Sequence, residues 1–97
     1  MNFSIHPLAT REAADAAAWY EQRRAGLGTA FMTVILEALR HIGEQPLAWP
    51  RWREDPTTRL FVVRRFPYVI AYRVTEDRIR VLAIAHDKRQ QGYWRNR

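Results

Sequence analysis

Between Gly28 and Gly43 the apolar residues Phe31, Val34, Ile35, Ala38, Leu39 and Ile42 fall at i, i+3, i+4, i+7, i+8 and i+11. That is the period of one helix face, so this stretch reads as an amphipathic helix that must bury its stripe against something else. Gly43 and Pro46 stop it. A second helical stretch precedes it, with Thr10 as the predicted cap, Glu12 and Asp15 near its positive end, and Arg23 and Arg24 near its negative end. Its predicted buried stripe is Ala14, Ala17 and Ala18, residues small enough to let another helix approach closely. Only Ala25 to Gly28 separates the two stretches, which predicts an antiparallel helical hairpin. Gly26-Leu27-Gly28 reads as the helix cap at that corner, since no strand precedes it as a phosphate-binding loop would need.

The hairpin needs a partner, and the flanking sequence supplies strands. Met1 to His6 alternates, with Met1, Phe3 and Ile5 on one side, and Pro7 ends it. Leu47 to Thr58 reads as loop, punctuated by Pro46, Pro50 and Pro56, with Trp49 and Trp52 as anchors over the core and Trp19-Tyr20 as core packing. Arg59–Arg65, Tyr68–Val74 and Arg78–His86 are rich in Val, Ile, Phe and Tyr, and the gaps between them suit hairpin turns. The predicted fold class is therefore α+β: a short N-terminal strand, a two-helix hairpin packed on an antiparallel meander, and a short C-terminal tail. With 97 residues and no linker or repeat, the chain is expected to be a single domain, 1–97.

Composition narrows the chemistry. The absence of cysteine excludes disulfides, thiol nucleophiles and Cys-ligated metal, and His6 and His41 lack spaced partners, so neither metal nor cofactor is expected. No apolar run is long enough for a membrane span and no secretion signal is visible at the start, so no membrane contact and a cytoplasmic location are expected. Residues 1–50 hold four Arg and five acids, whereas residues 51–97 hold twelve Lys plus Arg and five acids, so the whole net charge of +6 comes from the second half. Fifteen of the sixteen cations are Arg, whose planar fork pairs with carboxylate and phosphate. An anionic partner follows, either nucleic acid or an acidic protein; a basic domain that is merely soluble is the plainer alternative.

Strand alternation puts Ile79, Val81, Ala83 and Ala85 on one side and Arg80, Leu82, Ile84 and His86 on the other. On that reading Arg73, Arg80 and His86 share an uncovered basic surface with Lys88, Arg89, Arg95 and Arg97. The segment His86-Asp87-Lys88-Arg89 followed by Tyr93 and Trp94 holds the residue types of a metal-free ribonuclease: a base, an acid and cations for the phosphorane. The plainer reading of His86 is a strand-end residue bonded to Asp87. Arg64-Arg65-Phe66-Pro67-Tyr68 sets adjacent cations beside aromatic rings, suited to nucleic acid or to nothing more than a polar turn.

Particular strings in this order carry a family resemblance: Ala18-Trp19-Tyr20-Glu21, Gly26-Leu27-Gly28 followed by Phe31, Ile42 to Pro46 with Pro50 after it, Arg64-Arg65-Phe66-Pro67-Tyr68 with Tyr72-Arg73-Val74, and Ala85-His86 leading to Arg89, Gly92, Tyr93 and Trp94. Together they span nearly the whole chain, which resembles the RelE/ParE superfamily of type II toxins and most closely its ParE-like branch. The resemblance implies a growth-inhibiting toxin neutralised by a cognate acidic antitoxin. It implies DNA gyrase as the target and no enzymatic activity of its own; the alternative is a ribosome-dependent mRNA endonuclease of the RelE kind, with ribosome and mRNA as partners. Val69 stands after Tyr68 where the nuclease branch carries Arg, and an aliphatic group cannot stabilise a pentavalent phosphate. Under the gyrase reading Arg64, Arg65, Arg73, Arg80, Lys88, Arg89 and Trp94 are the expected contacts with target or antitoxin. Under the nuclease reading Arg73 and Arg89 would hold the phosphorane while His86 or Tyr93 moves protons. A plain nucleic-acid-binding module is the third reading.

Overall fold

The computed structural model describes residues 2–97, so Met1, placed above with Phe3 and Ile5, lies outside the described residues. The elements are β1 (Asn2–Ile5), α1 (Pro7–Arg23), α2 (Leu27–Glu44), β2 (Arg51–Trp52), β3 (Asp55–Val62), β4 (Tyr68–Thr75) and β5 (Arg78–His86). They form one sheet of order β1-β5-β4-β3-β2, in which β1 runs parallel to β5 and every other pairing is antiparallel. This is the α+β arrangement of hairpin and meander that the periodicity predicts, with one strand more.

Pro7 both ends β1 and opens α1, because its fixed φ suits the first helical position and its missing N–H is not needed there. The cap is therefore His6, whose Nδ1 accepts the Leu8 N–H at 3.1 Å, and the predicted cap Thr10 lies inside the helix. The earlier start also fixes the phase: α1 buries Ala9, Ala13 and Ala16, while Ala14 and Ala18 of the predicted stripe are exposed and Ala17 is half-buried. Small residues still do the predicted work. A Cβ built on Gly28 would lie 2.5 Å from the Ala17 carbonyl oxygen, so α1 and α2 touch backbone to backbone at this corner. Gly26 opens α2 in the left-handed region at φ +88°. The Glu21 carboxylate, reaching from the end of α1, accepts the N–H groups of Gly26 (3.0 Å) and Gly28 (3.0 Å). A negative charge thus sits on the positive end of α2, and those two N–H groups hold the Glu21 carboxyl below its ordinary pKa.

Helix α2 buries Phe31, Ile35, Ala38 and Ile42, with Val34 and Leu39 at the margins of the stripe. These side chains meet Ile70, Tyr72, Ile79, Val81 and Ile84 of the sheet, and Phe31 stacks on Tyr20 with ring centres 5.3 Å apart. Tyr72 donates its hydroxyl to the Pro46 carbonyl at 2.7 Å, and burial pushes its phenol up to about 12. Tyr20 is core, as expected for Trp19-Tyr20, but Trp19 is exposed and carries the Arg23 guanidinium 4.2 Å above its ring.

The segment 47–58, expected as loop, forms β2 and the first four residues of β3. Pro56 is tolerated because the ladder between β3 and β4 begins only at Arg59, opposite Tyr72, so the missing N–H interrupts nothing there. Trp49 packs against Phe61 on the helix side, whereas Trp52 is buried on the opposite face.

The larger departure is in β5. Ala83 is opposite Ala71 and Val81 is opposite Tyr72, which leaves Leu82 as an extra residue, a β-bulge. Alternation shifts across it. Ile79, Val81 and Ile84 face the helices, while Leu82, Ala83 and Ala85 face the other way and form a second buried cluster with Ala71, Trp52 and Trp94. The C-terminal segment therefore covers part of the second face instead of extending as a free tail. No helix is long and apolar enough to cross a membrane among the described residues.

Candidate functional site

The bulge decides which candidate residues meet. Arg73 alternates with Tyr72 and so lies on the second face, where its Nε donates to the Thr58 hydroxyl (3.2 Å) and its guanidinium pairs with Asp55 at 3.2 Å and donates to the Arg95 carbonyl at 3.3 Å. Arg80 is directly opposite Arg73 on the same face and donates to the Ser4 hydroxyl at 2.7 Å. His86 is opposite Tyr68 on the helix side, their ring centres 5.3 Å apart. The expected shared surface of Arg73, Arg80 and His86 is thus divided by the thickness of the sheet, because one inserted residue reverses side-chain parity.

A groove of about 610 Å³ on the helix side is lined by Trp19, Tyr20, Tyr68, His86, Arg89 and Tyr93 over a floor that includes Glu12. Glu12 organises it. Strand β1 covers β5 only as far as Val81, so the β5 edge beyond has no strand partner, and the Glu12 carboxylate accepts the Ile84 N–H at 3.0 Å in its place. The same carboxylate accepts the Tyr93 hydroxyl (2.8 Å) and the Arg97 guanidinium (3.0 Å), and lies 3.5 Å from Arg89. Arg97 in turn donates to the Leu82 carbonyl at 3.1 Å, so one edge acceptor and one edge donor of β5 are satisfied by side chains. Arg89 stacks over the Tyr93 ring at 3.6 Å.

This arrangement limits what the tail residues can do. Burial first, and then the hydrogen bond to Glu12, push the Tyr93 phenol well above its ordinary pKa, so it stays protonated with its proton directed at Glu12. His86 accepts the Lys88 backbone N–H at Nδ1 (3.1 Å), which leaves Nε2 to carry the proton of the neutral ring and to act as a donor. Trp94, expected as a surface contact, is 1% exposed; its indole is an anchor that holds the tail to the sheet. Lys88 and Arg89 remain exposed.

Arg64 and Arg65 lie in the turn between β3 and β4, and they rim a different, mostly apolar groove of about 740 Å³ between α2 and the outer edge of β3, lined among others by Val34, Ala38, Trp49 and Val62. Leu60 donates its N–H outward to the Pro50 carbonyl at 3.0 Å, and Val62, two residues on, presents its backbone to the same outer side past the end of β2. Val62 is 65% exposed.

Glu12 was missed as a site residue, and Arg97, expected on the uncovered basic surface, is folded onto Glu12 with its side chain only 12% exposed. In the sequence Glu12 is one acid near the start of an Ala-rich helix, accounted for by the helix dipole, and nothing local marks it as the acceptor for residues more than seventy positions away. Among the described residues, no group of three or more His, Cys, Asp or Glu could hold a metal.

The family described as "ParE toxin of type II toxin-antitoxin system, parDE" matches residues 3–91 of this chain. A solved chain of the chromosomal ParDE TA system from P. aeruginosa is similar in fold, with a TM-score of 0.66 at 16% identity, over 89% of this chain and 95% of that one. No curated protein matches the sequence.

Proposed function

Since the chain belongs to the ParE toxin family of type II toxin–antitoxin systems, we propose that it acts in the cytoplasm as one toxin domain that arrests growth by binding DNA gyrase, without cleaving RNA. The observation that carries this reading is that the sheet separates Arg73 from His86 and Arg89, residues a metal-free ribonuclease would need around one phosphate. Arg73 is on one face, tied to Asp55 and Thr58, His86 and Arg89 line the groove on the helix side, and Tyr93 is held at the β5 edge by Glu12 with its ring against the second-face cluster. Phosphoryl transfer without a metal requires base, acid and cations around one phosphate. Here the Tyr93 proton is committed to Glu12, the His86 ring presents a donor, and Val69 occupies the strand position next to Tyr68. A binding mode that uses exposed Arg side chains needs none of that convergence.

Neutralisation by a cognate acidic antitoxin is the second half of the proposal. The α2–β3 groove suits it: apolar walls for a partner's apolar side chains, the outward backbone of Val62 for an added strand, and Arg64 and Arg65 at the rim for carboxylates. The test is a pulse-label after tightly controlled induction in a bacterium, following thymidine and methionine incorporation over the first minutes. DNA synthesis should fall before protein synthesis. Translation failing first would overturn the gyrase reading in favour of the ribosome-dependent nuclease.

A further inference from the structure

The half of the second sheet face that Trp94 and the tail leave uncovered is cationic in an unusual way. Arg73 on β4 and Arg80 on β5 are directly opposed across an antiparallel ladder, side by side on one face. Like charges in that relation destabilise a sheet. Arg73 is neutralised by Asp55, but among the described residues neither Arg80 nor its neighbour Arg78 has a carboxylate within ion-pairing distance, and Arg80 has the Ser4 hydroxyl alone. The register places Asn2 and Ser4 of β1 and Thr75 of β4 beside them. The result is a surface of guanidinium forks and hydroxyls, with no aromatic ring at these positions and with surplus positive charge that the fold itself leaves unpaired.

We propose that this Arg78–Arg80 surface is where the toxin engages its target, and that the occupant is a carboxylate-bearing protein surface. Two observations favour a protein over a nucleic acid. The unpaired cations of this surface are all Arg, the cation enriched in protein interfaces. Single-stranded nucleic acid is held by stacking on aromatic rings, which these positions lack. The α2–β3 groove proposed for the antitoxin lies on the helix side of β3, so target and antitoxin would use separate surfaces. The inference rests on the gyrase reading only for the identity of the target.

The experiment compares the full-length wild type with Arg78→Glu/Arg80→Glu, and with Arg11→Glu/Arg24→Glu as a control that makes the same change of net charge elsewhere. Arg78→Glu alone is the second variant, since Arg78 is exposed and its replacement removes no bond to Ser4; thermal unfolding verifies each fold. Growth inhibition on induction, affinity for purified DNA gyrase, affinity for the purified cognate antitoxin and affinity for a short DNA duplex are measured. The double variant should lose growth inhibition and bind gyrase about tenfold or more weakly, hold the antitoxin within about threefold of wild type, and differ in this from the control. Retained toxicity in a folded double variant overturns the proposal, as does antitoxin affinity that falls in step, which would assign the face to the antitoxin. Salt-sensitive duplex binding by the wild type that the double variant loses would overturn it in favour of nucleic acid. If toxicity depends on the face but the wild type does not bind gyrase, the surface stands and the gyrase reading falls.

Discussion

Replacing Glu12 with Ala removes one small carboxylate and leaves three partners without it. The Ile84 N–H and the Tyr93 hydroxyl lose acceptors at 3.0 and 2.8 Å, and the Arg97 guanidinium keeps only the Leu82 carbonyl. A hydrogen bond to a charged group contributes about 1.5–3 kcal/mol, and a buried donor left alone costs its own desolvation. Glu12 and Arg97 side chains are only 16% and 12% exposed, so water replaces these bonds poorly, whereas Arg89 at 56% exposure adds little. Allowing for non-additivity, Glu12→Ala should lower the unfolding free energy by about 3–5 kcal/mol, a large part of what a domain of this size has. The assay is urea unfolding at constant slope. An independent readout is the alkaline titration of Tyr93 by ultraviolet absorbance. Two of the causes that raise its pKa vanish with Glu12, so its phenol should ionise at lower pH in the variant. A loss below about 1 kcal/mol together with an unmoved Tyr93 titration would refute the reasoning and assign the anchoring of the tail to Trp94 burial and to the bonds of Arg73 with Arg95 and of Arg97 with Leu82.

Gly28→Ala should destabilise by about 1–3 kcal/mol, because the new Cβ meets the Ala17 carbonyl, a backbone atom that cannot swing aside; a thermal midpoint equal to wild type would contradict the close approach of α1 and α2. Stability should decline as pH falls below about 4.3, the unperturbed carboxylate range. Glu21, held low by the Gly26 and Gly28 N–H groups, and Asp55, held low first by the Thr57 hydroxyl, favour the folded state while ionised and lose that contribution as pH falls through their lowered folded values. Glu21→Gln should flatten the decline between pH 5 and 3 measured by urea midpoints, and an unchanged slope would show that Glu21 does not cap α2 in solution.

What could be read from the chain alone is what depends on neighbours in sequence. The apolar period of Phe31 to Ile42, the glycine corner at Gly26, the β-rich runs around Tyr68 and Ile79, and the surplus of Arg after position 50 are local signals, and the hairpin on a meander follows from them. The family strings, which span most of the chain, are legible for the same reason. Three things were not. The cap of α1 moved from Thr10 to His6 because Pro7 can begin a helix as well as end a strand, which shifted the buried alanines. Segment 55–58 became strand because β2 was there to pair with it. Above all, the Leu82 bulge arises from the fit of β5 against β4, two strands whose relative register no local pattern encodes, and a single inserted residue reverses which face every later side chain takes. That reversal put His86 and Arg73 on opposite faces, sent Trp94 into the second core and brought Tyr93 and Arg97 to Glu12. Composition determined that the chain carries a surplus of Arg after position 50; tertiary packing alone decided which of those arginines are paired, because a charge is neutralised by whatever folds beside it and not by its neighbours in the sequence.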